Sequence, residues 1–293
     1  MRAMRADDDG LSYAVDGFTD AQTRRIRYGE QLRAVLQGRA SRWSAPVAVE
    51  DADTGRQLKE IREHGGGPIP LLGSLYASAW RQEREMMKEM EKLIASHPAW
   101  DWLSGVKGVG PTLAARLLTR LDITRARSPA GFWAYCGLST VPAELFVCPE
   151  CGAQTMAEGH TRFKAGHPGP DGARCSGSYI ASGAAPGVRV AQPRPRHGER
   201  SRYDMEAKRI CYLVGVSFVR CGGPYREHYD ERRRHLQAMH PAWAPKRIHM
   251  AAMRATVKRF LVHLWTAWNE LATAWPAAEQ GDEPPSARQA VMR

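Results

Sequence analysis

No run of apolar residues in this 293-residue chain approaches the length needed to span a bilayer, and Met1 to Gly10 lacks the apolar centre of a secretion signal. Membrane insertion and export are therefore excluded as expectations, and a soluble, cytoplasmic protein is expected. Cysteine is also scarce. Six cysteines in an intracellular chain of this size do not make a disulfide framework. Lysine contributes only eight of 42 basic residues, so the net charge of +11 is carried mainly by arginine, whose planar fork suits bidentate contact with phosphate. What remains is a chain with 43% hydrophobic residues, enough for one large or two modest cores.

The charge is concentrated. Between Arg189 and Arg259 there are seventeen Lys and Arg against six Asp and Glu, which accounts for the whole excess. A basic block of this kind implies a polyanionic partner and salt-dependent binding.

Val106-Lys107-Gly108-Val109-Gly110 is a glycine hairpin followed by Pro111-Thr112, a helix start, and by a small-residue helix from Leu113 to Leu121. Two glycines permit a tight turn, and the bare N–H groups at the start of the next helix can face a phosphate oxygen. Upstream, Leu71, Leu72, Leu75, Ala79, Met86, Met87, Met90 and Leu93 predict one helix over Pro70 to Ser96, with Pro98 ending it. The whole therefore reads as a helix-hairpin-helix.

Cys148-Pro149-Glu150-Cys151-Gly152 is a zinc-knuckle turn, in which two thiolates two residues apart can share one ion. His167 and Cys175 are the best completing pair, with His160 a competing ligand in the same segment. Three thiolates and one imidazole make a closed site, so the expected cofactor is a structural Zn²⁺ rather than a catalytic one. Cys136 and Cys211 lie in apolar helical contexts and are expected as buried free thiols.

Beyond this element, Ala181 to His197, rich in Gly, Pro and Arg, predicts a linker or a basic strand-like arm. Three helices follow. Arg200 to Arg220 buries Ile210, Leu213, Val214 and Phe218, Tyr225 to Met239 is highly charged, and Lys246 to Trp275 has a core face of Val257, Phe260, Leu261, Leu264, Trp265 and Trp268. Arg247, Arg254 and Lys258 fall on another face of that last helix, which can track a phosphate backbone or simply face solvent. Met1 to Gly10, Ser41 to Gly55 and the tail from Ala277 predict disorder. The expected class is mainly α, a helix-hairpin-helix-containing helical domain with a small inserted zinc ribbon. Its expected divisions are 1–68 (N-terminal extension, partly helical or disordered), 69–143 (long helix and hairpin), 144–182 (zinc ribbon), 183–275 (basic helical region) and 276–293 (tail).

The ordered set Leu103-x2-Val106-Lys107-Gly108-Val109-Gly110-Pro111-Thr112, then Ala114-Ala115 and Leu117-Leu118, then Ser128-Pro129-x2-Phe132-Trp133-Ala134-Tyr135-Cys136-Gly137-Leu138, resembles the C-terminal transposase domain of the DEDD-type insertion-sequence transposases, the bridge-RNA-guided recombinases. The resemblance extends over roughly residues 70–265, interrupted by the zinc element. It implies DNA as partner, structured RNA as a second candidate partner, and self-association, with the Pro70 to Ser96 helix as a candidate seam. It also implies a nucleophilic serine between the Gly-Leu strip and the basic helix, an interval holding Ser176, Ser178, Ser182 and Ser201, of which Ser178 and Ser182 are the first candidates. The family's four metal-binding acidic residues sit on an N-terminal βαβ scaffold, and no strand-rich run before Pro70 supplies one here; Asp7, Asp8 and Asp9 are a solvated cluster.

The function expected is that of a DNA-binding protein resembling this transposase domain. Its candidate phosphate contacts are Lys107, Gly108, Val109, Gly110 and Thr112 in the hairpin and Arg200, Arg202, Lys208 and Arg209 in the basic region. The alternatives are an active recombinase component that takes a nuclease or guide RNA in trans, and a protein-interaction module of mobile-element or phage origin.

Overall fold

A computed structural model describes residues 8–39, 51–123, 126–159, 161–193, 195, 198, 200–241 and 243–278. The fold is mainly α, with nine helices, one three-stranded sheet and one two-stranded sheet among the described residues. None of the helices is long and apolar enough to cross a membrane. The chain forms two compact units, residues 1–120 with 271–293 and residues 121–270.

The first unit is built on two long helices, α1 (Asp8–Leu36) and α3 (Pro70–Ile94), with α2 (Asp51–His64) against them. Along α1, Leu11, Ala14, Val15, Phe18 and Ala21 recur at three-four spacing and are buried, so one stripe faces the partner helix. The pairing is antiparallel. A Cβ built on Gly17 would lie 2.9 Å from Met86 Sδ, and one on Gly29 3.1 Å from Tyr76, so glycine brings the two backbones close. Glu83 of α3 accepts from Arg25, and from Gln22 Nε2 at 3.2 Å, in the same register. Leu32, Leu58, Ile61 and Tyr76 close the end of the pair with α2. The buried residues of α3, Gly73, Tyr76, Ala77, Ala79, Met90 and Ile94, thus have partners within this unit. Leu71, at 72% exposure, and Leu75 stay outside that seam.

Of the stretches expected to be disordered, residues 1–7, 41–50 and 279–293 lie outside the described residues, while residues 277–278 close the last helix. Asp8–Gly10 and Asp51–Gly55 instead form the opening turns of α1 and α2. Asp53 of α2 accepts from Arg56 Nη2 at 2.7 Å and Gln57 Nε2 at 2.8 Å, contacts at three- and four-residue spacing that only a helical turn brings within reach.

After α3 the chain turns through His97. Its Nδ1 accepts the Ala99 N–H at 3.1 Å, and burial pushes the imidazole down to about 4. The unfolded chain binds a proton near pH 6.5 that the folded chain refuses until pH 4. Stability from this group is therefore complete above pH 6.5 and lost as pH falls toward 4, at up to about 1.4 kcal/mol per pH unit. Urea titrations of His97→Asn, whose amide oxygen can still accept the Ala99 N–H, are expected to show that slope removed; an unchanged slope would assign it elsewhere.

The second unit packs α7 (Met205–Cys221), α8 (Pro224–Met239) and the turns of α9 (Pro245–Ala278) up to Glu270 around Phe218, Tyr229, Phe260, Leu261 and Leu264. The rings of Phe218 and Tyr225 stack at 4.5 Å, and Phe260 meets Phe218 edge-on at 5.2 Å. The aromatic stripe of α9 is core, as its spacing predicts, and half-buried Trp265 donates Nε1–H to the Ala126 carbonyl at 2.7 Å. The helix expected from Arg200 starts at Met205, because the Asp204 carboxylate accepts the Ala207 N–H at 2.6 Å and caps it. α6 (Pro129–Tyr135) leads into β1 (Thr140–Val147), the centre of a sheet ordered β2 (Gln154–Ala157), β1, β5 (Ile180–Ala191), all antiparallel. The Gly- and Pro-rich stretch therefore takes the strand option over its first half.

Candidate metal centre and nucleic-acid interface

The hairpin joins α4 (Trp100–Ser104) to α5 (Pro111–Leu118). Leu103 and Val109 are buried beside Ala114, Ala115, Leu117 and Leu118, whereas Lys107 and Gly110 are exposed. Gly108 sits at φ +98°, a conformation that side chains rarely adopt, and this lets the chain reverse within one residue. The Val109 N–H is held by the Val106 carbonyl at 2.9 Å, so Val109 faces inward by both side chain and amide. Gly110 is extended, with open space where a Cβ would stand, and its carbonyl takes the first intrahelical bond from Ala114 at 3.0 Å. Half-buried Thr112 and Leu113 precede that bond, so their amides are the ones a ligand can meet.

The ligand cluster belongs to the second unit. Cys148 follows β1 and is buried; its N–H bonds the Ala153 carbonyl at 2.9 Å, and its own carbonyl takes the Gly152 N–H at 2.9 Å. This closes the Cys-x2-Cys turn. Opposite it, β3 (His167–Pro168) pairs with β4 (Arg174–Cys175), placing His167 directly across from Cys175. The four ligand atoms of Cys148, Cys151, His167 and Cys175 all lie within 4.8 Å of one another, an arrangement that can hold a metal ion. Cys148 Sγ is 3.7 Å from Cys175 Sγ, and Cys151 Sγ is 3.3 Å from His167 Nε2. A tetrahedral zinc with sulfur at about 2.3 Å and nitrogen at about 2.0 Å needs edges of roughly 3.8 and 3.5 Å, close to these two separations, and the longer separations in the cluster would have to shorten around the ion.

The surroundings prepare the ligands. For Cys148, burial raises the thiol, but the amides of Cys151 and Glu150 and the neighbouring thiols outweigh it and the net shift is downward. Cys175 receives the Gly177 N–H at 3.3 Å, yet burial and the adjacent sulfurs push it up to about 11. A cation held among these thiols would offset the charge that accumulates as they ionise. The His167 ring packs on Tyr179 at 4.2 Å, Tyr179 on Phe163 at 4.9 Å and Phe163 on Phe146 at 5.1 Å, which fixes the imidazole with Nε2 toward Cys151. The competing ligand, His160, lies outside the described residues.

Residues 101–144 match the family model of the IS116/IS110/IS902 transposases. This segment is transposase-like. No curated protein and no solved structure matches the chain. The transposase-like segment runs from α4 through the hairpin, α5 and α6 into β1, and ends before Cys148, so the metal cluster lies beyond it.

The remaining sequence-predicted residues are scattered by their partners. Arg202 pairs with Glu158 at 2.6 Å, and Arg209 pairs with Glu206 at 3.0 Å. Lys208 donates to the Gln192 carbonyl at 3.3 Å and lies 4.1 Å over the Tyr203 ring. Arg200 is exposed ahead of α7. Ser178 is half-buried just after the Cys175 turn and Ser182 is exposed on β5; among the described residues, neither hydrogen-bonds a histidine or a carboxylate that could take its proton. The strip Ser128 to Leu138 packs: Phe132, Cys136 and Leu138 are buried, with Cys211 beside Cys136. Sequence reasoning missed the carboxylates that occupy Arg202 and Arg209, although Glu206 at i−3 from Arg209 was a readable signal.

Proposed function

We propose that this chain is a transposase-related DNA-binding protein whose hairpin holds the phosphate backbone and whose Cys3His centre binds a structural zinc. The observation that carries the proposal is the match of residues 101–144 to the transposase family, centred on a hairpin with exposed Lys107 and the open Gly110 to Leu113 turn. A phosphate oxygen at that turn would meet amide donors, the positive end of α5 and one flexible ammonium. The finer kinship, with the DEDD-type, bridge-RNA-guided enzymes, rests on the ordered residues between Leu103 and Leu138. Among the described residues the first strand is β1, so this stretch of chain offers no βαβ scaffold for acidic metal ligands. Binding rather than autonomous strand exchange is the activity proposed, and the serines are left without a catalytic role.

The deciding experiment is a salt series with duplex DNA, a four-way junction and structured RNA. The logarithm of affinity for duplex is expected to fall linearly with log salt, and Lys107→Glu to weaken every duplex alike, about tenfold, because phosphate contacts carry no sequence information. Altered sequence preference at unchanged overall affinity would refute the hairpin assignment. A strong preference for junctions would favour a recombinase component, and absence of binding at low salt a protein-interaction module.

A further inference from the structure

α9 carries cations that the hairpin reading leaves unused. Arg254 and Lys258 lie one helical turn apart and half-buried, and among the described residues neither forms an ion pair. The Lys258 ammonium sits 4.5 Å over the Trp133 ring, and Trp133 Nε1–H donates to the Lys258 carbonyl at 3.1 Å. Trp133 in turn accepts the Ser139 N–H on its own carbonyl at 3.2 Å. The next residue, Thr140, takes the Arg189 guanidinium on its hydroxyl at 2.9 Å and on its carbonyl at 2.5 Å. The α6 helix, the first residue of β1 and the end of β5 thus bring a third cation to the α9 pair. Burial and then the charges of Arg254 and Arg189 push Lys258 down, while burial alone lowers Arg254.

This differs from the arginines of α7 and α8, where Arg209 and Arg226 have carboxylates at 3.0 and 2.6 Å. Half-burying two cations beside a third, with no carboxylate among the described residues, costs solvation that the Trp133 ring restores only in part. An external anion would restore it.

We propose that Arg189, Arg254 and Lys258, positioned by Trp133 and Thr140, form a phosphate-binding site through which residues 121–270 hold a nucleic-acid backbone. The Arg254 fork, the Lys258 ammonium and the edge of Arg189 that Thr140 does not occupy suit a tetrahedral oxyanion, and the exposure of Arg189 leaves the site open to a polymer. The nucleic-acid source of that phosphate rests on the DNA-binding reading above; the phosphate site itself does not.

The test uses the full chain labelled with 5-fluorotryptophan, with the Trp133 resonance assigned through Trp133→Phe. Tripolyphosphate is expected to shift that ¹⁹F signal saturably, and Arg254→Gln/Lys258→Gln to abolish the shift while melting no lower than the parent. No saturable shift, or the same shift with sodium chloride at equal ionic strength, would overturn the site. With duplex DNA, the double variant is expected to reduce the slope of log affinity against log salt by about two, one for each phosphate contact removed. An unchanged slope, with Lys107→Glu still impairing binding, would overturn the nucleic-acid assignment and leave the hairpin reading intact. A parent that binds tripolyphosphate but no duplex would sink the DNA-binding reading and with it the nucleic-acid source, while the phosphate site stood.

Discussion

Replacing Cys148 by serine is expected to release one equivalent of metal and unfold the segment between Val147 and Ile180, leaving the α7–α9 core intact. The segment has little else to hold it. Its buried apolar side chains amount to Ala153 and one edge of the Phe146, Phe163 and Tyr179 stack, far less than a stretch of this size needs to fold by itself. Structural zinc contributes roughly 10–16 kcal/mol in small metal-dependent folds, so a zinc held by these four residues would outweigh every other local term. Cys148 and His167 are the two buried ligands, and Cys148 matters more because its amide and carbonyl also close the knuckle turn. The Phe218, Phe260 and Leu264 cluster lies on helices that contribute no ligand, so far-ultraviolet helicity should survive. Metal content by mass spectrometry and limited proteolysis of the ribbon read the two effects separately. Exposed Cys221, changed to serine, should alter neither. His167→Ala should behave as Cys148→Ser does while His160→Ala keeps its metal; the reverse pattern would show that the ligand set is misassigned.

The metal cluster and the hairpin were legible because each is written locally: a two-residue spacing between thiols, or two glycines before a proline, fixes geometry within a few residues. The α9 core face was legible for the same reason, since its period is repeated over six large side chains. α1 was not. It fell within an extension expected to be partly helical or disordered; Gly17 and Gly29 weaken its helix propensity, and only the partner helix explains them, through Met86 and Tyr76 packed against them. β5 was legible only as one of two options, linker or strand-like arm, because its twelve residues are mostly exposed and owe their extended form to pairing with β1 rather than to an alternating pattern. The availability of cations was the least legible feature. Arg202 and Arg254 look alike in sequence, yet Glu158, 44 residues away, occupies the first, and among the described residues the second has no carboxylate. Which arginine is open to a phosphate is decided by tertiary neighbours.

Gly73→Ala is expected to destabilise the first unit by about 3 kcal/mol, on the scale of a forced backbone displacement in a packed core. Intrinsic propensity argues the other way, since alanine is better than glycine inside a helix by about 1 kcal/mol. Contact geometry decides the sign. An added Cβ at Gly73 would lie 1.7 Å from the Gly66 carbonyl oxygen and 2.7 Å from its carbon, and a backbone atom cannot swing aside as a side chain can. The Gly65 to Gly67 loop would have to lift off α3. That loop runs at φ near +80° through all three glycines and places Ile61 next to Gly67, so lifting it disturbs the Leu32, Leu58, Ile61 and Tyr76 cluster. Gly55 supplies the contrast, because it lies within α2 and a Cβ there meets nothing within 4 Å. Gly55→Ala should therefore gain the propensity term, about 1 kcal/mol. Thermal melts of the two variants should move in opposite directions, Gly73→Ala down by roughly 10 °C and Gly55→Ala up by a few degrees. A rise in both would mean that the loop does not rest on α3 in solution, and that helix propensity alone governs these positions.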